Sequence, residues 1–314
     1  MENLLFALNA VLPVFLLILT GIFLKKLTIL DDQFIAKSTK LVFKVALPAL
    51  IFQKISHADF SQLFDAKEIL IIVLLVTGSF LLIFLLSGLF IKDGAERGAF
   101  IQGSFRSNIA IVGLAIISNV FGESGVAHTA IALVFIFPMY NIYAVLALII
   151  PLKKGSSGAP KVIMKAIVTN PLIIAVFIAL PFSIFSIETG SITNSFLEYL
   201  SRMTLPLALL GVGGSLSFSS FKKGFLKAVT ASSIKLIIYP VIVVLILLAA
   251  GYKGESLGVI FIMLGCPTAV SSYVMAEAMG SDSDLAAGII LITTLGSIFT
   301  IGLGIFVMKS LGFI

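Results

Sequence analysis

Tryptophan is absent from this 314-residue chain, cysteine occurs once and histidine twice. A single thiol, Cys266, excludes a disulfide framework and a cysteine-based zinc site. His57 and His128 are too far apart in sequence to read as a metal pair. Charge is scarce as well. Only 11% of residues are charged against 59% hydrophobic, and the mean hydropathy is +1.18, which excludes an ordinary soluble domain and reads as a polytopic membrane protein. Missing motifs narrow the function. There is no His-Glu-x-x-His, no Gly-x-Gly-Asp and no phosphate-binding loop, and "GVGGSLS" around Ser215 lacks nucleophile-elbow spacing. An intramembrane enzyme and direct ATP coupling are therefore set aside, and no cofactor or metal is expected.

What is present is a series of long apolar runs. About 17 to 25 apolar residues cross a bilayer core as a helix. Ten runs qualify, at 4–24, 39–56, 68–91, 98–120, 127–152, 161–185, 195–218, 226–250, 256–280 and 285–308. The first is followed by Lys25 and Lys26 and preceded by Glu2, the order of a retained helix with its N-terminus outside rather than of a signal peptide. Thirteen of the 21 basic residues, among them Lys37, Lys40, Lys92, Arg97, Lys153, Lys154, Lys222 and Lys223, fall on one side of this arrangement. Only Lys54, Lys67, Lys253 and Lys309 fall on the other. That excess puts the first side in the cytoplasm and both termini outside, in the cytoplasmic membrane of the cell. It also accounts for the net charge of +6 without nucleic acid.

The polar stretch "KKGSSGAPK" then becomes a cytoplasmic linker, 153–160, between a first group of five spans (1–152) and a second (161–314). Five is odd, so a repeat between the groups is inverted. Pro13 and Pro171 are 158 positions apart, as are Pro48 and Pro206, and "KVALPAL" from Lys44 aligns with "RMTLPLA" from Arg202. Shifted by one further position, "NIAIV" from Asn108 aligns with "PTAVS" from Pro267. The expected fold is all-α, with ten transmembrane helices in two inverted five-helix repeats.

Spans 4 and 9 are both interrupted. A proline within a membrane helix removes one backbone hydrogen bond, and the freed groups need protein or water as partners. "GCPTAVSS" places Pro267, Thr268, Ser271 and Ser272 near the middle of span 9. "GSFRSNIAIVG" places Gly103, Arg106, Asn108 and Gly113 at the matching depth of span 4. Taken singly, such small residues are as well explained by close helix packing. Two interrupted segments in matching positions of inverted halves, one with Arg106 and one with Glu277, point instead to a transporter's binding site. An intramembrane charge costs about 2.5–3.5 kcal/mol even on the insertion scale. Lys235, deep in span 8, either pairs with Glu277 or neutralises a substrate carboxylate. Lys44 and Arg202 are placed to snorkel, and Glu198 and His128 near span ends are read as solvated at the interface.

On these residues the whole chain resembles the auxin efflux carrier family, known for the plant PIN-formed auxin exporters and for bacterial permeases of malate and malonate. The matching stretches are "NIAIVGLA" from Asn108, "PTAVSSYVMA" from Pro267, "DLAAGIILITT" from Asp284 and the pair Asn170 and Pro171. The resemblance implies broken crossover helices 4 and 9 at the substrate site, with Asn108 and Pro267 at the crossing. It also implies that spans 3–5 and 8–10 move against a scaffold of spans 1, 2, 6 and 7. Ala115 stands where many relatives have Pro, which leaves the break in span 4 to Gly103 and Gly113. The long central loop of many plant members is missing, and Arg106 fits the bacterial branch.

The function expected is secondary transport of a small organic anion, either a malate- or malonate-like carboxylate or an auxin-like acid, by elevator-type alternating access. Arg106, Asn108, Gly113, Cys266, Pro267, Thr268, Ser271 and Ser272 are the candidate substrate-binding residues. Glu277 and Lys235 are candidates for ion or proton coupling, with a proton or sodium as the coupled ion. Further partners are the lipid bilayer and, as an assembly the chain allows, a homodimer. The alternatives on the same fold are a sodium-coupled bile-acid-type symporter, a channel or a sensor.

Overall fold

Aspartate side chains mark where several helices begin. In the computed structural model, which describes residues 2–57, 65–152, 169, 171–216 and 224–314, Asp31 accepts from the N–H of Phe34 and opens α2 (Asp32–Leu41). Asp65 accepts from Lys67 and Glu68 at the start of α4 (Ala66–Phe90), and Asp93 from Ala95 and Glu96 at the start of α5 (Gly94–Phe105). Asp282 does the same for α13 (Ser283–Ser310) through Leu285. Each carboxylate satisfies N–H groups that the first helical turn leaves free and lies at the positive end of the helix dipole.

The remaining helices are α1 (Glu2–Lys26), α3 (Leu47–Ser56), α6 (Leu114–Ile149), α7 (Pro171–Ile184), α8 (Ser191–Ser215), α9 (Phe225–Ser233), α10 (Tyr239–Ala249), α11 (Gly254–Gly265) and α12 (Ser271–Met279). Among the described residues there is no strand beyond one isolated bridge. The linker 153–160, Asn170 and the pair Lys222 and Lys223 lie outside the described residues.

Prolines explain two of the joints. A π-helical turn, Val42–Ala46, joins α2 to α3, and another, Ile234–Ile238, joins α9 to α10. In each the N–H that follows reaches five residues back, Leu47 to Val42 and Tyr239 to Ile234. The next residues are Pro48 and Pro240, which have no N–H to give and whose rings clash with a tight preceding turn. Widening that turn relieves the clash without ending the helix. In α6 the backbone leaves helical geometry at Gly122, where φ is 62°, a left-handed value that glycine adopts without a Cβ penalty. That kink falls between the runs 98–120 and 127–152 read from the sequence.

Among the described residues, five helical segments are long and apolar enough to cross a membrane: Glu2–Lys26, Ala66–Phe90, Ile109–Ile149, Phe225–Ala249 and Ser283–Ser310. Pro171–Ile184 and Gly254–Gly265 are shorter apolar helices. Large apolar side chains such as Leu85, Leu89, Leu226 and Phe299 project outward from them, as lipid-facing surface requires. The molecule is an all-helical, multi-pass membrane protein.

Helices α1, α2, α3, α7 and α8 pack together, and α4, α5, α6 and α9 to α13 form a second group. The groups meet along α1 with α13 and α6, and along α3 with α6. Helices α1 and α8 approach each other closely. A Cβ on Gly21 would lie 2.3 Å from the Leu210 carbonyl oxygen, and one on Gly213 would lie 1.9 Å from that of Ile18. Small residues at a membrane helix interface allow backbones this near.

Candidate functional site

Helix α5 ends at Phe105 and helical structure resumes at Ile109; α11 ends at Gly265 and α12 begins at Ser271. Between those ends Arg106 and Cys266 are extended. The two extended stretches meet as an antiparallel bridge between Ser107 and Thr268, and the Asn108 N–H donates to the Pro267 carbonyl at 2.7 Å. Each break thus supplies partners for the backbone groups that the other leaves free.

Side chains complete the exchange in a reciprocal pattern. The Thr268 hydroxyl donates to the Gly103 carbonyl at 2.6 Å, and the Ser107 hydroxyl to the Leu264 carbonyl at 3.2 Å. Both acceptors are orphan carbonyls in the last turn of a half-helix. Thr268 and Ser107 are 161 positions apart, and so are Leu264 and Gly103, an offset two larger than the 159 at which the two motifs align in sequence. The break in span 4 falls at Arg106–Asn108, not at the glycines. Gly103 instead lies inside α5 against Ile289, and Gly113 closes the π turn by donating to the Asn108 carbonyl at 3.0 Å.

Lys235 is fully buried beside this crossing. Its Nζ donates to the Ser107 hydroxyl at 2.5 Å and to the Leu264 carbonyl at 2.6 Å, and stands 5.4 Å from the Tyr239 ring centroid. A cation at the C-terminal end of a half-helix is favoured by the dipole. The pairing with Glu277 does not form. Glu277 is exposed on α12, because the helix turns it away from the crossing after Ser272.

Arg106 is 6% exposed and lies on the wall of a cavity of about 400 Å³. Its guanidinium donates to the Met275 sulfur at 2.7 Å and to the Asn141 side-chain oxygen at 3.2 Å. Both partners are neutral. No carboxylate among the described residues forms an ion pair with it. The other walls are largely apolar, formed by Phe43, Ile109, Leu133, Phe137 and Val274, with Tyr140 beside Arg106 and Thr39 and Lys40 contributed by α2.

Of the residues singled out from the sequence, Arg106, Asn108 and Ser271 line this cavity. Cys266, Pro267 and Thr268 sit in the crossing itself, and Ser272 is buried behind the wall. Thr268 is committed to Gly103, and its backbone N–H donates to the Thr293 hydroxyl at 3.2 Å, so it acts on the backbone and not on the cavity. The sequence reading missed Asn141 and Met275, which hold Arg106, and the aromatic wall. The available signal for Asn141 was an amide within "FPMYN", next to Pro138 in an otherwise apolar run.

Of the two ionisable groups read as solvated at the interface, Glu198 keeps a half-exposed side chain and His128 does not. His128 is 8% exposed rather than solvated, because it packs against the buried Glu68. Glu198 pairs with Arg202 at 2.5 Å one helical turn away.

The family model described as membrane transport protein matches residues 6–305. The chain belongs to that family. The resemblance to the auxin efflux carriers is borne out over nearly the full length. An "Uncharacterized transporter" from Methanothermobacter thermautotrophicus is 26% identical over 94% of this chain and 96% of its own length. A protein described as "Putative malonate transporter" from Rhizobium meliloti is 28% identical over 93% of this chain and 92% of its own. A transporter from Escherichia coli is 22% identical over 97% and 98%. Family and relatives are transporters and not enzymes.

Proposed function

We propose that this membrane transport protein is a secondary transporter that moves a small organic anion across the cytoplasmic membrane by alternating access. The observation that carries the reading is Arg106, a buried cation on a cavity wall whose hydrogen-bond partners are both neutral. A buried charge is stabilised by a counterion, and here the vacant role suits a carboxylate from outside the protein. The planar guanidinium fork matches a carboxylate in two-pronged geometry. Asn108 and Ser271 supply neutral hydrogen bonds around it.

The remaining wall favours a single carboxylate on an apolar body, since a second anionic group facing Phe43, Leu133 and Phe137 loses hydration without gaining a partner. A malonate-like dianion is the second reading. Lys40 lines the same cavity, and the relative described for malonate transport makes malonate the first dianion to test.

The reciprocal hydrogen bonds at the crossing support two inverted repeats with α5 and α11 as their broken helices. On this reading α4 to α6 and α9 to α13 form the moving unit and α1, α2, α3, α7 and α8 the scaffold. Lys37 and Lys40 mark the cytoplasmic side, which puts both termini outside.

Uptake of radiolabelled phenylacetate and of malonate into proteoliposomes tests this. Saturable uptake of the monoanion that disappears in Arg106→Ala is expected. Malonate uptake that depends on both Arg106 and Lys40 supports the second reading, and saturable uptake equal in native protein and Arg106→Ala contradicts both.

A further inference from the structure

A second polar cluster lies away from the anion cavity, where the first turns of α4 and α11 meet the middle of α6. Glu68, in the first turn of α4, is 4% exposed, and the buried His128 contacts its carboxylate through Nε2. The other ring nitrogen, Nδ1, points toward Glu255 in the first turn of α11, 4.0 Å from Oε1. Glu255 is partly exposed and accepts from the Ser124 hydroxyl at 2.8 Å. One imidazole thus stands between two carboxylates.

Proton count decides what such a group does. A neutral imidazole has one N–H and one lone pair, so it serves one carboxylate and turns a lone pair toward the other. With one proton added, the ring donates at both nitrogens, or one carboxyl becomes a donor itself. Two arrangements of the same three side chains therefore differ by one proton, and they differ in how Glu255 is held: by His128 with the proton, by Ser124 and water without it.

No lysine or arginine among the described residues forms an ion pair with Glu68 or Glu255. The charged groups that neighbouring elements bring to this end are accounted for. Asp65 caps α4 and Lys67 is exposed on its first turn. Glu123 of α6 pairs with Lys54 of α3, near His57, and Lys253 before α11 is exposed. Burial, and then the charges of Asp65 and Glu68, push the Tyr252 hydroxyl above its ordinary value.

We propose that Glu68, His128 and Glu255 form a proton-binding site that couples transport to the pH gradient. The proposal rests on the transporter reading above and moves the coupled proton away from Glu277. All three groups belong to the proposed moving unit. Helix α11 runs without interruption from Glu255 to the crossing at Leu264 and Cys266, a rigid rod of about 15 Å. A change at Glu255 is in this way joined mechanically to the segment that frames the anion cavity.

The chain has only two histidines, so His57→Gln leaves His128 as the sole imidazole. The full-length variant, labelled with 15N in the imidazole and held in nanodiscs, is titrated from about pH 5 to about pH 8.5, a range that brackets ordinary imidazole titration. The expected result is a change of the ring 15N signals between one-proton and two-proton patterns, altered in Glu68→Gln. In proteoliposomes, an inward-acid gradient of one pH unit should raise phenylacetate uptake about tenfold over no gradient in native protein, and that ratio should fall to about one in His128→Gln. If His128→Gln does not fold, Glu255→Gln replaces it with the same expected ratio. Ring signals that stay unchanged across the titration overturn the proposal, as does a gradient ratio in the variant equal to the native one. Native protein that moves no organic acid contradicts the transporter reading instead, and the 15N titration then still decides whether the site exchanges a proton.

Discussion

At the residue scale, some buried polar groups serve the backbone and others serve the cavity. Thr268 serves the backbone: its hydroxyl is the partner of the Gly103 carbonyl at a buried helix end. Thr268→Val keeps the shape and removes that donor, and should cost about 1–3 kcal/mol in stability, the penalty of an unsatisfied buried carbonyl. Thr268→Ser should recover most of it, with thermal unfolding in detergent as the readout. Asn141 gives Arg106 a neutral partner, and no counterion among the described residues pairs with the guanidinium. Asn141→Asp places a carboxylate on the guanidinium and should abolish binding of an organic anion while leaving the unfolding temperature at or above the native value. Loss of binding together with gross unfolding would instead make Asn141 a packing residue. Arg106, Asn108 and Ser271 were legible in the sequence because polar residues stand out in an apolar run. Asn141 and Met275 were not, because which residues of a long helix face the guanidinium depends on its rotation about the axis, and that is fixed by packing.

At the scale of elements, breaks and close approaches carry the architecture. The interruptions at Arg106–Asn108 and Cys266–Val270 were announced by Pro267 and by a charged residue within an apolar run. The resemblance put Asn108 and Pro267 at the crossing, where the Asn108 N–H meets the Pro267 carbonyl; the reciprocal side-chain bonds of Thr268 and Ser107 were not legible, because which hydroxyls reach which helix ends is fixed by packing. The pairing of His128 with Glu68 was missed for a related reason. Only the tertiary fold brings an imidazole in one helix to a carboxylate 60 positions earlier. The α1–α8 contact gives a direct check of the packing. Gly213→Ala drives a Cβ into the Ile18 carbonyl and should destabilise by about 1–3 kcal/mol, as overpacking of a close contact does. Gly122→Ala meets open space, but φ 62° with ψ −143° is backbone that essentially only glycine adopts, and it should cost about 1–3 kcal/mol through strain alone. Melting temperatures of both variants below the native value in one detergent would agree with this; a native melting temperature in either would not.

At the scale of the whole molecule, two groups of helices meet along α1, α3, α6 and α13, and the cavity beside Arg106 lies where α2 of the first group faces the crossing of the second. Composition made the multi-pass class plain, since soluble domains carry about 25% charged residues on average against 11% here. Access to this cavity is open to labelling. Cys266 is fully buried, so a Cys266→Ala background that also carries Lys40→Cys presents one reactive thiol at the cavity mouth, and organic anion bound at Arg106 should slow its modification. The most direct measurement for the central claim, however, is equilibrium binding of phenylacetate to the purified protein by titration calorimetry, native against Arg106→Gln. The account predicts saturable binding that weakens about tenfold to 150-fold in the variant, the equivalent of losing one charge-assisted hydrogen-bonded contact of about 1.5–3 kcal/mol. Equal affinity in a variant that remains folded would contradict it, and would place the anion somewhere other than beside Arg106.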